Sequence, residues 1–240
     1  MLLLFPGLSF LFIILLAVLP AAFLMRYIYR QDKIEKEPRD LLIRVTIRGV
    51  LAAFVSMLLE SLGQFVLGLT RIDPESPLYT ILLAFLVVAA VEEGAKYFLM
   101  HLRVWKHPAF NYRFDAIVYS VFASLGFAAM ENIMYVFGYG LSVVLSRALL
   151  SIPAHMSFAV VFGVFYGRAR RFENRGQHGA SVASLLLGYL VAVFFHGFYD
   201  SCAMIGTGFS MLLFALFMIV IYATIFFVVR SEARTDQTVY

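Results

Sequence analysis

Apolar and polar positions alternate on a coarse scale along this chain, in blocks of about twenty residues. Seven apolar runs are long enough to cross a bilayer as helices: roughly residues 2–25, 43–69, 78–102, 114–137, 142–167, 181–200 and 207–229. Between them lie short polar segments, among them RYIYRQDKIEKEPRD, TRIDPESP, RVWKHPAFNYR and RARRFENRGQHG. In lipid, backbone polar groups must be satisfied within a segment or in a closed barrel, so each run is expected to be a helix. The pattern therefore predicts an all-α, polytopic transmembrane helix bundle of about seven spans, forming one integral membrane domain over 1–240. The sixth and seventh runs are divided only by SCAMIGTG, the least marked boundary.

Composition agrees. Of 240 residues 62% are hydrophobic and 14% charged, against about 45–50% and about 25% in soluble domains. Cys202 is the single cysteine, which excludes an intramolecular disulfide. The net charge of +4 acquires its meaning from placement. With the N-terminus outside, the inner segments and tail hold Arg26, Arg30, Lys33, Lys36, Arg39, Arg44, Arg103, Lys106, Arg113, Arg168, Arg170, Arg171, Arg175, Arg230 and Arg234, leaving four of the 19 basic residues elsewhere. Cytoplasmic loops carry such an excess. The expected topology is N-terminus outside and C-terminus cytoplasmic, and the basic loops signal orientation rather than nucleic-acid binding. Residues 1–25 do not read as a cleaved signal, because the basic cluster follows the apolar run instead of preceding it.

Excluding the ends of the runs, the ionisable residues singled out within them are Glu60, Glu92, Glu93, Lys96, Glu131, His155, His196 and Asp200. A charge near the bilayer centre costs roughly 2.5–3.5 kcal/mol on insertion scales, so such residues face the bundle interior and mark a working site by default. Glu92 lies 14 residues from the start of its run and His155 lies 13 from its own, similar depths at about 1.5 Å per residue. Four runs thus deliver polar groups to one level, in the outward half of the bilayer. Imidazoles and carboxylates on facing helices form a recurring metal arrangement. Zinc accepts both, and a nearby carboxylate can take a proton from bound water. Lys96 is i+4 from Glu92 and i+3 from Glu93, so it pairs well with one and leaves the other free as base. His196 and Asp200, at i and i+4, suit two ligands or a ligand and its orienting carboxylate. Glu131 and Tyr135 share a face, with Asn132 about 100° away. Bland readings stand beside these: an ion pair for the EExxK group, an intrahelical hydrogen bond for His196 and Asp200, a rim contact for Glu60, a helix cap for Asp115, and solvation for His101, His107 and His178.

The stretches EEGAK at 92–96, FDAIVYSVFASLGFAAMENIMY at 114–135, RALLSIPAH at 147–155 with GVFYGRAR at 163–170, and HGFYD at 196–200, together with EKEP at 35–38, occur in order on separate runs. In these the chain resembles the PrsW family of bacterial intramembrane proteases, distant relatives of the CAAX prenyl-proteases and bacteriocin-processing membrane proteases. The resemblance implies a multi-pass enzyme of the bacterial cell membrane that clips a single-pass membrane protein, an anti-sigma factor in the named member, on its extracytoplasmic side. It also implies Glu92 as base and Glu93 as the partner of Lys96. The prenyl-protease relatives carry a His four residues after a Phe, where this chain has Glu131 after Phe127. The expected scheme has Glu92, Glu93 and Asn132 as catalytic groups, with Asn132 or Tyr135 meeting the oxyanion. Glu131, His155 and His196 are expected to hold Zn2+, with Lys96, Tyr135 and Asp200 in support. A proton- or ion-coupled transporter would bury the same groups, but no paired Gly- or Pro-broken runs and no repeat symmetry accompany them.

Overall fold

The computed structural model describes residues 6–240, with side chains from Leu11 onward; residues 2–5 of the first predicted run lie outside the described residues. Among the described residues, seven helices are long and apolar enough to span a membrane. They are α1 (Pro6–Gln31), α2 (Arg39–Gly68), α3 (Pro77–Val104), α4 (Arg113–Tyr139), α5 (Leu141–Asn174), α6 (His178–Ile205) and α7 (Gly208–Arg234). The weak boundary between the last two is a true break. Gly206 takes a left-handed conformation (φ 63°) that ends α6, and Thr207 caps α7 by accepting from Ser210 N at 3.2 Å.

α4 is the axis of the bundle. Its apolar window is 67% buried, against 17% for α1 and 28% for α7. α2, α5 and α1 all pack on it. Between lipid-facing helices there is no hydrophobic drive, so association depends on close packing of small residues. At the crossing of α2 and α4, a Cβ on Gly49 would fall 1.9 Å from Ala123 O, and one on Gly126 would fall 2.4 Å from Thr46 O. Backbones touch there only because both positions lack a side chain.

α3 and α5 are not uniform. Each contains a π-helical stretch, Leu83–Ala89 and Arg147–Ser151. In the second, Ile152 N reaches back to Arg147 O, five residues away. Pro153 has no N–H to offer the carbonyl of Leu149. Tyr222 of α7 supplies the missing donor, its hydroxyl lying 3.0 Å from Leu149 O and 2.9 Å from Leu150 O. Widened turns of this kind gather at functional sites.

The basic face is closed by loop contacts. Asp115 Oδ2 accepts from Tyr112 N and Asn111 N at the start of α4, the cap anticipated for it. The C-terminal segment adds Asp236, whose Oδ1 accepts from Phe114 N at 3.0 Å, and buried Val239. From the first loop Glu37 enters, 4% exposed, accepting from the Tyr119 hydroxyl and sharing a hydrogen bond with Asp115. Burial pushes Glu37 up to about 7 from its ordinary 4.5, and Asp32 up to about 6 from 3.8.

Two outcomes are expected. The folded state binds protons at Glu37 more tightly than the unfolded state, so stability falls as pH rises from about 4.5 to about 7. Glu37→Gln, which keeps an acceptor for Tyr119, should flatten the fall in melting temperature between pH 5 and pH 8; an unchanged slope would refute the assignment. Gly49→Ala should lower stability by about 1–3 kcal/mol through overpacking, whereas Gly138→Ala, with nothing within 4 Å, should melt like the parent.

Candidate active site

Five helices enclose a cavity of about 500 Å3. Its walls come from the C-terminal halves of α2, α4 and α6 and the N-terminal halves of α3 and α5, so it lies toward the face opposite the basic loops. On the other side the bundle is shut: Tyr97 and Phe162 stack with ring centroids 3.6 Å apart. The packed side chains Met100, Phe110 and Tyr166 are each no more than 1% exposed.

Lys96 organises one wall. It is fully buried, with Nζ 2.6 Å from Glu93 Oε1, 3.3 Å from Glu92 Oε2 and 3.4 Å from His155 Nδ1. The face of Phe127 lies 4.3 Å away and adds a cation–π contact. The closer partner is Glu93. Glu92 lines the cavity.

The imidazoles are held from both ends. An ammonium can only donate, so His155 Nδ1 accepts from Lys96 and Nε2 carries the proton, donated to Glu131 Oε2 at 3.0 Å. His196 Nδ1 sits 2.7 Å from Glu93 Oε1, while its Nε2 looks toward Asp200 Oδ2 at 3.2 Å and Glu92 Oε2 at 3.8 Å. The two rings are 5.2 Å apart, edge to face.

Glu92, Glu93, His155 and His196 each offer one ligand atom, all within 4.8 Å of one another, and all four residues are buried. The donor set suits a divalent cation. Glu93 Oε2 is buried with no hydrogen-bond partner. Among the described residues, the carboxylates of Glu60, Glu92, Glu131 and Asp200 line the cavity with Glu93 behind them, beside the two fixed cations Lys96 and Arg147. Nitrogen and carboxylate oxygen are the ligands zinc takes in hydrolytic sites.

Two expected roles meet a different geometry. Glu131, anticipated as a metal ligand, lies outside the compact group; its Oε2 is 2.7 Å from Arg147 Nη2 as well as 3.0 Å from His155. Asn132, anticipated at the oxyanion, is turned away from the cavity. Its Nδ2 donates to Ala17 O of α1 at 2.7 Å and its Oδ1 accepts from Arg147 Nε at 3.0 Å. Both ends of the amide are occupied, because a position 100° from Glu131 faces α1 rather than the cavity. Tyr135, Asp200 and Glu60 all line the cavity. His101, expected to be solvated, instead lies 3.1 Å from the Tyr166 hydroxyl through Nδ1 and stacks on Trp105.

Arg147 is the residue that spacing did not reveal; it was not among the ionisable residues singled out within the runs. It lies against Glu131, donates to Asn132 and covers the Tyr135 ring at 3.9 Å. In a regular helix residues eight apart diverge by about 80°. The π-helical turn between Arg147 and His155 removes most of that angle, so both reach one carboxylate oxygen. Pro153, unable to continue the ladder, was the available signal.

The description PrsW family intramembrane metalloprotease matches residues 37–229. The chain is 35% identical over 183 residues to Protease PrsW of Geobacillus kaustophilus (strain HTA426), covering 76% of each. It is 32% identical over 188 residues to Protease PrsW of Bacillus subtilis (strain 168), covering 78% of this chain and 81% of the relative. To Protease PrsW of Clostridioides difficile (strain 630) it is 32% identical over 212 residues, covering 87% and 86%. No solved structure matches it. With seven apolar membrane-length helices around a buried group of carboxylates and imidazoles, this multi-pass bacterial membrane protein belongs to the PrsW family of intramembrane metalloproteases.

Proposed function

We propose that the chain is an endopeptidase that cuts a single-pass membrane protein near its extracytoplasmic side, with Glu92 as general base and Zn2+ as cofactor. An anti-sigma factor, cut first in a regulated cascade, is the substrate class that the family resemblance favours. The observation that carries this reading is the convergence of Glu92, Glu93, His155 and His196 beside a one-sided cavity within the lipid layer.

Glu93, His155 and His196 would hold the ion, leaving Glu92 as the carboxylate facing the cavity. When bound, zinc supplies a water acidified toward pKa about 7 and polarisation of the peptide carbonyl. Glu92 takes the water's proton and returns it to the leaving amine, while Lys96 fixes Glu93. Asp200 holds His196 in orientation from its far nitrogen. Arg147 fixes Glu131, which fixes the His155 ring. The Tyr135 and Tyr199 rings line the outer part of the cavity, where an unwound segment of substrate would lie. The aromatic floor at Tyr97 and Phe162 favours hydrolysis over the transporter alternative, which needs a second opening.

In vesicles containing the protein and a doubly tagged single-pass substrate, Glu92→Gln should lower cleavage by about 10²–10⁴-fold with an unchanged melting temperature; retained cleavage removes Glu92 from the scheme. Purified protein should carry close to one zinc per chain, lost in His196→Ala and on chelation together with activity. Metal-free protein of full activity would argue for a carboxylate mechanism alone. Uptake of a solute or ion by the same vesicles, without any cut, would favour the transporter.

A further inference from the structure

On the basic face, away from the cavity, α1 and α2 both pack against α4 and diverge from each other. The cleft between them measures about 790 Å3. Phe122 of α4 forms its floor, and Leu19 and Phe23 of α1 face Ile47 of α2 across it. At its basic end stand two guanidiniums, Arg26 from α1 and Arg39 from the first turn of α2. We propose that this cleft is a binding site for an anionic phospholipid, with the phosphodiester on Arg26 and Arg39 and one acyl chain along the apolar walls.

Dimensions fit that occupant. Leu19 to Arg26 spans seven residues and Ile47 to Arg39 eight, about 10–12 Å along each helix, close to the depth of one leaflet in a hydrocarbon core about 30 Å thick. Charge complementarity fits as well. Arg26 and Arg39 are exposed and form no ion pair or hydrogen bond among the described residues. No acid lines the cleft; Asp40, next in sequence, acts electrostatically on His107 instead. Guanidinium forks match phosphate oxygens in pairs. A zwitterionic headgroup brings its own cation to the same place, so the site discriminates by net charge. Basic pockets between transmembrane helices on the cytoplasmic side select anionic headgroups for this reason. Occupancy has a structural effect: α1 offers Ala17 O to Asn132, so a lipid wedged between α1 and α2 steadies the helix that anchors Arg147.

Native mass spectrometry of the full-length chain tests this, with phosphatidylglycerol competing against phosphatidylcholine of identical acyl chains. The parent should retain phosphatidylglycerol with a preference of about thirtyfold, the order expected for two surface arginines. Arg26→Gln with Arg39→Gln should abolish the preference, and Arg44→Gln, exposed on α2 but outside the cleft, should keep it. Ala22→Trp fills the cleft while leaving both arginines in place; it should lower phosphatidylglycerol occupancy and decides the matter if the double variant does not fold. The proposal is overturned by equal retention of both lipids in the parent, by an equal loss in Arg44→Gln, or by a dimer sealed through this cleft that lipid does not dissociate.

Discussion

A single ammonium group buried at membrane depth is the interaction on which the rest of this structure depends. Lys96 touches Glu93, Glu92, His155 and the face of Phe127, and through them it links α3, α4 and α5. Removing one partner of a buried ion pair typically costs 3–5 kcal/mol, since the other charge is stranded. In lipid that penalty has no water to soften it. With Lys96 in place, Glu93 can be wholly buried and still accept from His196, and Glu92 is left to face the cavity. One cation serving two unequal acids thus leaves one carboxylate wholly buried and the other lining the cavity.

Much of this was written in the order of residues. Hydropathy alone marked seven helices, and the cost of charge in lipid singled out Glu92, Glu93, Lys96, His155, His196 and Asp200, which the fold brings to one wall. The i, i+3 and i, i+4 rules gave the Lys96 and His196 pairings, because those stretches are regular α-helix. Where the helix is not regular the rules lost their footing. Arg147 lies on the π-helical side of α5, so its angular relation to His155 cannot be computed from spacing. Glu131 was therefore read without the guanidinium it meets in the fold. Asn132 was placed at the correct angle from Glu131, but the helix waiting at that angle, α1, is a tertiary fact that no local pattern encodes.

The basic face was the least legible part. Glu37, Asp115 and Tyr119 come from residues 37 to 119 in sequence and meet only because glycine contacts draw α2 onto α4. Two acids in hydrogen-bonding contact imply a shared proton, which a single sequence does not announce. Small residues therefore accommodate two kinds of close approach in this bundle. They let backbones touch where α2 crosses α4, and they admit the Val87 and Phe85 side chains against Gly63 and Gly197.

The widened turn of α5 sets what that helix can reach. A π-helical turn is equivalent to one residue inserted into an α-helix, maintained here by Pro153 and the Tyr222 hydroxyl. Losing that residue would make α5 more regular while swinging Arg147 off Glu131. Regular geometry and the Arg147–Glu131 contact therefore exclude each other along this stretch of α5, and the broadened turn is the form in which the contact exists.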